Sequence, residues 1–118
     1  MFEEQRKHPR FPLFGVAEVR EKGQEQRYVL TALIQSISEG GAGLYTLQAV
    51  AVGTPVSVTI KFTDNRGKNT YDDVEGTVAS VTTLKEFYSI GIAFHGLIDR
   101  EKQPNLFLHF HEVLNPKG

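Results

Sequence analysis

The sequence contains no cysteine among its 118 residues. Disulfide bridges, thiolate metal sites and cysteine nucleophiles are therefore all excluded. Long apolar runs are also missing, since the longest extend over only a few residues and a membrane-spanning helix needs ~20. The first ten residues carry charge but no apolar stretch, so they do not resemble a signal peptide. We therefore expect a cytoplasmic protein that does not insert into a membrane.

An excess of charge of one sign is lacking as well. The 13 Lys and Arg residues nearly balance the 14 Asp and Glu residues, which leaves a formal net charge of -1. Binding along a phosphate backbone requires many unbalanced cations, and the predicted strands offer few aromatic side chains for base stacking. DNA and RNA are therefore not expected as partners. A small site where a few arginines meet an anionic ligand stays compatible with this balance.

The length and the spacing of strand-like segments predict a single all-β domain over residues 1–118. Alternation is clearest from Val56 to Phe62, where valine, isoleucine and phenylalanine take every second position. Turn residues separate the segments, as in Lys22-Gly23-Gln24, Gly53-Thr54-Pro55 and the stretch from Asp64 to Lys68. Six short antiparallel strands in a small barrel or sandwich are predicted, at residues 13–20, 27–37, 43–47, 56–62, 71–84 and 90–94.

The last segment has a helical period instead. Apolar residues fall at i, i+1, i+4, i+7 and i+8, and His109 lies off this stripe. Pro104 suits a first helical turn, and Asn115-Pro116 should end the helix. We expect this helix, placed at residues 100–115, to pack on the barrel core; docking of a partner is the alternative. The stripe consists of Leu106, Phe107, Phe110, Val113 and Leu114.

The familiar catalytic and metal-binding patterns are not found. His109 and His111 are two residues apart, so on a helix they point to opposite sides, and His95 should face outward from a strand. We therefore interpret the histidines as surface residues, and Asp72-Asp73 as a solvated strand entry. The glycines after Ser38 lack the Gly-Lys-Ser/Thr ending of a phosphate-binding loop. The sequence predicts no enzyme, no metal site and no cofactor.

Two short segments are more informative when taken together. Arg6-Lys7-His8-Pro9-Arg10 has an R-x-x-x-R spacing, and the prolines at 9 and 12 favour an extended arm over a helix. Alone, it would be a solubilising tail. Ser36 to Leu44 leaves one strand and enters the next through a glycine turn. Alone, it would be an ordinary hairpin in which Gly40 and Gly41 supply positive φ.

With these two motifs the chain resembles the PilZ domains, bacterial receptors for cyclic di-GMP, whose signature is R-x-x-x-R followed by D/N-x-S-x-x-G. The likeness covers almost the whole chain. It implies a six-stranded antiparallel β-barrel at residues 13–96, a C-terminal helix, and a flexible ligand-binding arm at residues 1–12. Further similar segments are Arg10-Phe11-Pro12, Glu75-Gly76-Thr77-Val78 and Tyr88-Ser89-Ile90-Gly91-Ile92-Ala93-Phe94.

The resemblance also implies a site for cyclic di-GMP. Arg6 and Arg10 would bind its phosphates or the O6 and N7 acceptors of guanine, because a guanidinium donates two parallel hydrogen bonds. Ser38 offers a hydroxyl, and glycine permits close approach of the ligand to the backbone. The complete expected set is Arg6, Arg10, Ser36, Ser38, Gly40 and Gly41.

Ser36 departs from the family motif, which has Asp or Asn at this position. A carboxylate accepts from guanine N1–H and N2–H₂ together, whereas a serine hydroxyl is shorter and uncharged. The loss costs about 1–3 kcal/mol if the guanine donors stay buried. The sequence therefore leaves two functions open: a receptor that signals cyclic di-GMP to an unidentified effector protein, as a monomer or a homodimer, and an interaction adaptor that binds the nucleotide weakly or not at all.

Overall fold

Alternating apolar residues assemble six strands into a closed antiparallel barrel, which carries one helix. The computed structural model describes residues 8–23 and 29–114. Neighbours around the barrel follow the order β1-β2-β3-β6-β5-β4. The elements are β1 (Gly15–Glu21), β2 (Leu30–Ile37), β3 (Gly41–Thr46), β4 (Pro55–Thr63), β5 (Asn69–Thr83), β6 (Tyr88–Phe94) and α1 (Pro104–Leu114).

The barrel interior follows from the alternation. In β4, Val56, Val58, Ile60 and Phe62 are buried, as the period-2 pattern predicts. Large side chains from the other strands complete this core, and closure pairs both edges of each of the six strands, which removes the exposed edges that promote aggregation. The prediction of a six-stranded antiparallel barrel with a C-terminal helix is confirmed.

The turns use glycine where the backbone requires it. Gly53 and Gly67 have φ of 94° and 79°, within the turns expected at these places, and Gly23 has φ of 83° after β1. The Asp64 carboxylate accepts from the backbone N–H groups of Arg66 and Lys68, both at 2.9 Å, which closes the β4–β5 turn. Gln24 lies outside the described residues.

Gly40 and Gly41 behave differently from the prediction. The described glycines with positive φ are Gly23, Gly53 and Gly67, so the expectation of positive φ at Gly40 and Gly41 was wrong. Gly41 belongs to β3, where an added Cβ would lie 2.5 Å from the carbonyl oxygen of Ile92. Close approach of β3 to β6, not a left-handed turn, explains this glycine.

Helix α1 begins four residues later than residue 100. The Asp99 carboxylate accepts from the N–H groups of Glu101 and Lys102, each at 2.9 Å, so a separate turn precedes the helix. Pro104 occupies the first turn of α1, where its missing N–H costs nothing, as predicted. The predicted end at Asn115 lies outside the described residues.

A carboxylate from the barrel holds the start of α1. Asp72 of β5 is buried and accepts from the backbone N–H of Leu106 at 2.6 Å and from the Asn105 amide at 3.1 Å. It therefore supplies the N-terminal cap that helices usually take from their own chain. Burial raises the pKa of Asp72, although these hydrogen bonds favour the charged form. The prediction that Asp72 is a solvated strand entry was wrong.

The buried side of α1 also differs from the predicted stripe at three residues. Leu106 and Phe110 are buried as expected, whereas Val113 and Leu114 are exposed. His109 is buried against Phe62, with ring centroids 5.3 Å apart, so its interpretation as a surface residue was wrong. The buried side of α1 is therefore rotated toward His109 relative to the predicted stripe, and it lies within the first two to three turns of the helix.

Candidate functional site

A groove on the outer surface of the barrel brings the two sequence motifs together. It encloses about 240 Å³ between the N-terminal arm, the turn after β2, and strands β5 and β6. Most of its lining residues are small, and His8, Arg10, Ser38 and Ser80 add polar groups. The residues that line it are His8, Arg10, Ser38, Gly40, Gly41, Ala79, Ser80, Gly91, Ile92 and Ala93.

Small residues from neighbouring strands form the floor of this region. Gly43 of β3 pairs with Gly91 of β6, which pairs with Ser80 of β5, and one step further Gly41 pairs with Ala93. The register of β5 shifts between Val78 and Ser80, a bulge that bends the strand here. Gly41 and Gly43 are buried and Gly91 is half-buried, so the absence of side chains lets the three strands and the groups above them pack closely here.

The arm is anchored beside this floor by backbone pairing. Phe11 donates its N–H to the carbonyl of Ile37 at 3.1 Å and accepts from the Ile37 N–H at 2.9 Å. The Phe11 ring also packs edge-on against Phe110 of α1, with centroids 5.0 Å apart. Since Ile37 lies between Ser36 and Ser38, this bridge fixes the end of the arm against the second motif.

The bridge places Arg10 above β2 and β3. One Arg10 Nη donates to the Ser36 hydroxyl at 3.4 Å, so the two motifs meet through these side chains. An added Cβ at Gly43 would lie 3.4 Å from the same guanidinium nitrogen and 3.5 Å from Ser36 Oγ. Gly43 is itself buried beneath these side chains, and its lack of a Cβ allows Arg10 and Ser36 to lie this close to the strand.

Ser38 is buried and already has partners within its own turn. Its hydroxyl accepts from the Gly40 N–H at 3.2 Å and reaches the Gly41 carbonyl at 3.4 Å. Its backbone N–H donates to the same carbonyl at 2.8 Å. The serine thus shapes the glycine turn, and this internal role is one that the spacing alone did not indicate.

The glycine turn is also tied to the far side of the groove. The Gly40 carbonyl accepts from Phe94 N–H and the Glu39 carbonyl accepts from Ile98 N–H, both at 2.9 Å. The Glu39 carboxylate lies 3.4 Å from His8 Nδ1. Backbone bonds to β6 and to the segment after it therefore hold the turn in place, independently of the arm.

Five of the six expected ligand residues lie at this groove. Arg10, Ser38, Gly40 and Gly41 line it, and Ser36 borders it through Arg10; Arg6 lies outside the described residues. Sequence reasoning missed His8, Gln35, Gly43, Ser80 and Gly91. The Gln35 amide oxygen lies 3.5 Å from the Ser89 hydroxyl, beside Gly43. The recurrence of glycine on β3 and β6 was the available signal, but only strand register shows that these glycines share one face.

Within the part of the chain that the structure describes, no group of three or more His, Asp or Glu residues is placed to hold a metal ion. The same described residues include no helix that is long and apolar enough to cross a membrane.

The sequence model of the PilZ domain matches residues 4–105, which is most of the chain. The chain belongs to the PilZ domain family. PilZ domains act as ligand-binding and adaptor domains. A search of curated proteins finds no match to this chain. The cyclic di-GMP receptor family predicted from the two motifs is therefore confirmed at the level of family and fold.

Solved structures share this fold at low sequence identity. The Bacillus subtilis inhibitor of motility MotI/DgrA has a TM-score of 0.71 at 14% identity, over 97% of this chain and 54% of that one. The complex of K. pneumonia MrkH with c-di-GMP has a TM-score of 0.63 at 17% identity, over 97% and 56%. The PilZ domain of Escherichia coli YcgR with c-di-GMP has a TM-score of 0.58 at 13% identity, over 95% and 96%. The chain thus spans about half the length of MotI and MrkH.

Proposed function

We propose that this PilZ domain is a receptor for cyclic di-GMP and passes the ligand signal to a partner protein. The observation that carries the proposal is the meeting of Arg10 and Ser36 at 3.4 Å beside the glycine turn that contains Ser38 and Gly41. Two motifs 26 residues apart in sequence therefore border one groove. The structures of MrkH and YcgR with c-di-GMP support the same ligand.

The chemistry of the groove suits such a ligand. Cyclic di-GMP presents two phosphates and two guanines, and the Arg10 guanidinium can donate two parallel hydrogen bonds to a phosphate or to guanine O6 and N7. Gly91 is only half-buried and lines the groove, so a guanine ring can approach β6 at this position. Arg6, four residues before Arg10, would supply a second guanidinium from the same arm.

The anchor at Phe11 suggests how binding is signalled. Phe11 is held by two backbone hydrogen bonds to Ile37, so the segment from Arg6 to Arg10 can close over the ligand while Phe11 stays paired. The closed arm, the ligand and the adjacent barrel face together form a new surface. In this proposal that surface recruits or releases a cytoplasmic effector protein, and no catalytic step is assigned to the chain.

An interaction adaptor with little nucleotide affinity is the second candidate. Ser36 lacks the carboxylate that reads guanine in the family motif, and the Ser38 hydroxyl is engaged by Gly40 and Gly41. Both features reduce the number of groups available to a ligand. Retention of Arg10 and of the small residues beside it favours the receptor.

Isothermal titration with cyclic di-GMP separates the two functions. We expect a Kd of about 1–10 µM or tighter for the native chain, and a loss of about 100-fold for Arg10→Ala, because each hydrogen bond to a charged group contributes ~1.5–3 kcal/mol. Arg6→Ala should weaken binding as strongly. Arg100→Ala is the matched control, since Arg100 lies over the Phe107 ring of α1 at 5.3 Å and away from the groove.

The receptor and the adaptor give different results in these measurements. Thermal unfolding of Arg10→Ala should resemble that of the native chain, because Arg10 is exposed. No heat with cyclic di-GMP up to several hundred micromolar would remove the receptor and leave the adaptor. An equal loss of affinity in Arg10→Ala and Arg100→Ala would place the nucleotide elsewhere on the chain.

A further inference from the structure

A second outer face of the barrel is strongly apolar. We call it the apolar face; it is formed by outward residues of β1, β2 and β3 and their neighbours. Val16 pairs with Leu33, and Leu33 pairs with Tyr45, so these three lie in one row across the strands. The Tyr45 ring packs edge-on against Phe87 at 5.3 Å. The apolar face consists of Phe14, Val16, Leu33, Tyr45, Leu47 and Phe87.

The exposed side chains of this face lie together instead of being scattered singly over the surface. Phe14 is 84% exposed, Leu47 78% and Leu33 60%. Since a whole aromatic side chain has ~150–250 Å² of surface, the face leaves roughly 500 Å² of apolar area in water. This approaches the upper range of ~300–600 Å² for the largest patch on a monomer. Each partner buries ~800 Å² in a standard interface, so this apolar area would form the larger part of one.

The shape of the face is self-complementary. A groove of about 720 Å³ runs beside Phe14, with Val16, Leu33, Tyr45 and Lys61 among the residues that line it. The most exposed aromatic ring of the described residues thus projects next to an apolar depression on the same face. A twofold axis through the face would place Phe14 of each copy in the groove of the other, since such an interface uses one patch twice.

The charges that border the face are paired within the chain. Glu18 accepts from Lys61 at 2.8 Å and from Arg20 at 3.1 Å. Arg20 also donates to the Thr59 hydroxyl, which donates to Asp73 at 2.6 Å. Two cations and two carboxylates therefore compensate each other along this border. A strongly acidic or basic partner finds no complementary charge here, whereas a second copy brings no repulsion.

We propose that the apolar face is a homodimer interface, in which two copies of this chain pack through Phe14, Leu33 and Leu47 about a twofold axis. Strand pairing between copies is not available to the six described strands because the barrel is closed. The contact is therefore face to face. The formation of this dimer does not depend on nucleotide binding, so the oligomeric state is measured on the nucleotide-free chain.

Multi-angle light scattering and sedimentation velocity of the full chain test this proposal. At ~100 µM we expect twice the 13.2 kDa mass of one chain, as for a micromolar dimer. Phe14→Asp and Leu33→Asp should each weaken the dimer by at least ~100-fold, because each buries a charge in an apolar contact. The matched control is Val52→Asp, because Val52 is 63% exposed in the turn before β4. It should stay dimeric.

Since Phe14 and Leu33 are exposed, both variants should melt close to the native temperature when the chain is diluted below the Kd of the dimer. A mass of 13.2 kDa for the native chain up to ~500 µM, where even a weak dimer forms, would overturn the proposal. A dimer that persists in both variants, or a mass above that of two chains, would overturn it as well. None of these outcomes bears on cyclic di-GMP binding, which the titration measures separately.

Discussion

The side-chain contacts that the arm makes at the groove and the side-chain contacts at the start of α1 differ in length. In the groove, Arg10 lies 3.4 Å from Ser36 and His8 lies 3.4 Å from Glu39, near the limit for a hydrogen bond. At the start of α1, Asp72 accepts from the Leu106 N–H at 2.6 Å. Long contacts can be exchanged for contacts with a ligand at little cost. Short, buried contacts hold the fold, so mutations in the two regions should affect different properties.

The largest effect on stability is expected for Asp72→Ala. The change leaves the Leu106 N–H and the Asn105 amide without their acceptor, and the loss of a buried cap costs about 2–4 kcal/mol of unfolding free energy. Thermal unfolding should shift downward by roughly 10 °C or more. Nucleotide affinity, measured by titration below the melting range, should change less than threefold.

Asp72→Asn is the matched variant for this test. Its amide oxygen can still accept from the Leu106 N–H, so the variant should recover at least half of the stability lost in Asp72→Ala. Equal destabilisation by the two variants would show that the charge, and not the acceptor, holds α1. A loss of nucleotide affinity with unchanged stability would contradict the division between the two regions.

Gly43→Val should do the reverse of Asp72→Ala: it should lower nucleotide affinity and leave stability unchanged. An added Cβ at Gly43 lies 3.1 Å from Gln35 Oε1 and 3.4 Å from Arg10 Nη1, so the valine fills the space between the motifs. We expect cyclic di-GMP affinity to fall at least tenfold, about 1.4 kcal/mol, while β3 keeps its stability because valine suits a strand. Titration measures the nucleotide affinity, and thermal unfolding of the same sample measures the stability.

Gly96→Val provides the control for this change. An added Cβ at Gly96 meets nothing within 4 Å, so this variant should bind as the native chain does. If Gly43→Val also bound normally, the floor of the groove would not contact the ligand, and the proposed site would be wrong.

Ser36→Asp should have a smaller effect on nucleotide affinity, and it should strengthen binding. The carboxylate restores the acceptor that reads guanine N1–H and N2–H₂, so affinity should rise about tenfold. Ser36→Ala, which removes the hydroxyl, should change affinity only about twofold in the other direction. Weaker binding by Ser36→Asp would mean that the new carboxylate pairs with Arg10, 3.4 Å from the present hydroxyl, and withdraws it from the ligand.

Alternation was sufficient to predict the strands of a small barrel or sandwich, because a strand with one buried face repeats every two residues, and the resemblance to PilZ domains selected the barrel. The prediction of residues 56–62 differs from β4 by one residue at each end. The helix was harder to place. Its start depends on a preceding turn closed by Asp99 and on the cap from Asp72, which lies on a strand 34 residues before Leu106. Local periodicity carries no information about a cap supplied from so far along the chain.

The candidate site was predicted only in part for a similar reason. Arg10, Ser36 and the glycine turn were recognised because they form motifs with fixed spacing. Gly43 and Gly91 were missed because their common face depends on the register between β3 and β6. His109 was misplaced because the rotation of α1 on the barrel is decided by packing against Phe62, which helical periodicity alone does not specify.

The smallest expected effect is the pH dependence of the attachment of α1. Burial lowers the pKa of His109, although Glu112 and Asp64 oppose this, and its Nδ1 has no hydrogen-bond partner among the described residues. As the pH falls through ~6.5, the unfolded chain takes up this proton before the folded chain does. Stability is therefore highest above this pH and falls as the pH approaches the lowered pKa.

Thermal unfolding between pH 7.5 and 5.5 measures this effect. The native melting temperature should fall with the pH, with a slope in unfolding free energy of at most ~1.4 kcal/mol per pH unit for one proton. His109→Leu should reduce this slope, whereas His111→Ala, an exposed histidine on the same helix, should leave it unchanged. The raised pKa of Asp72 acts in the opposite direction. Its contribution to the unfolding free energy is present at low pH and is lost as the pH rises through that pKa. An unchanged slope in His109→Leu would show that the buried imidazole does not couple protonation to the attachment of α1.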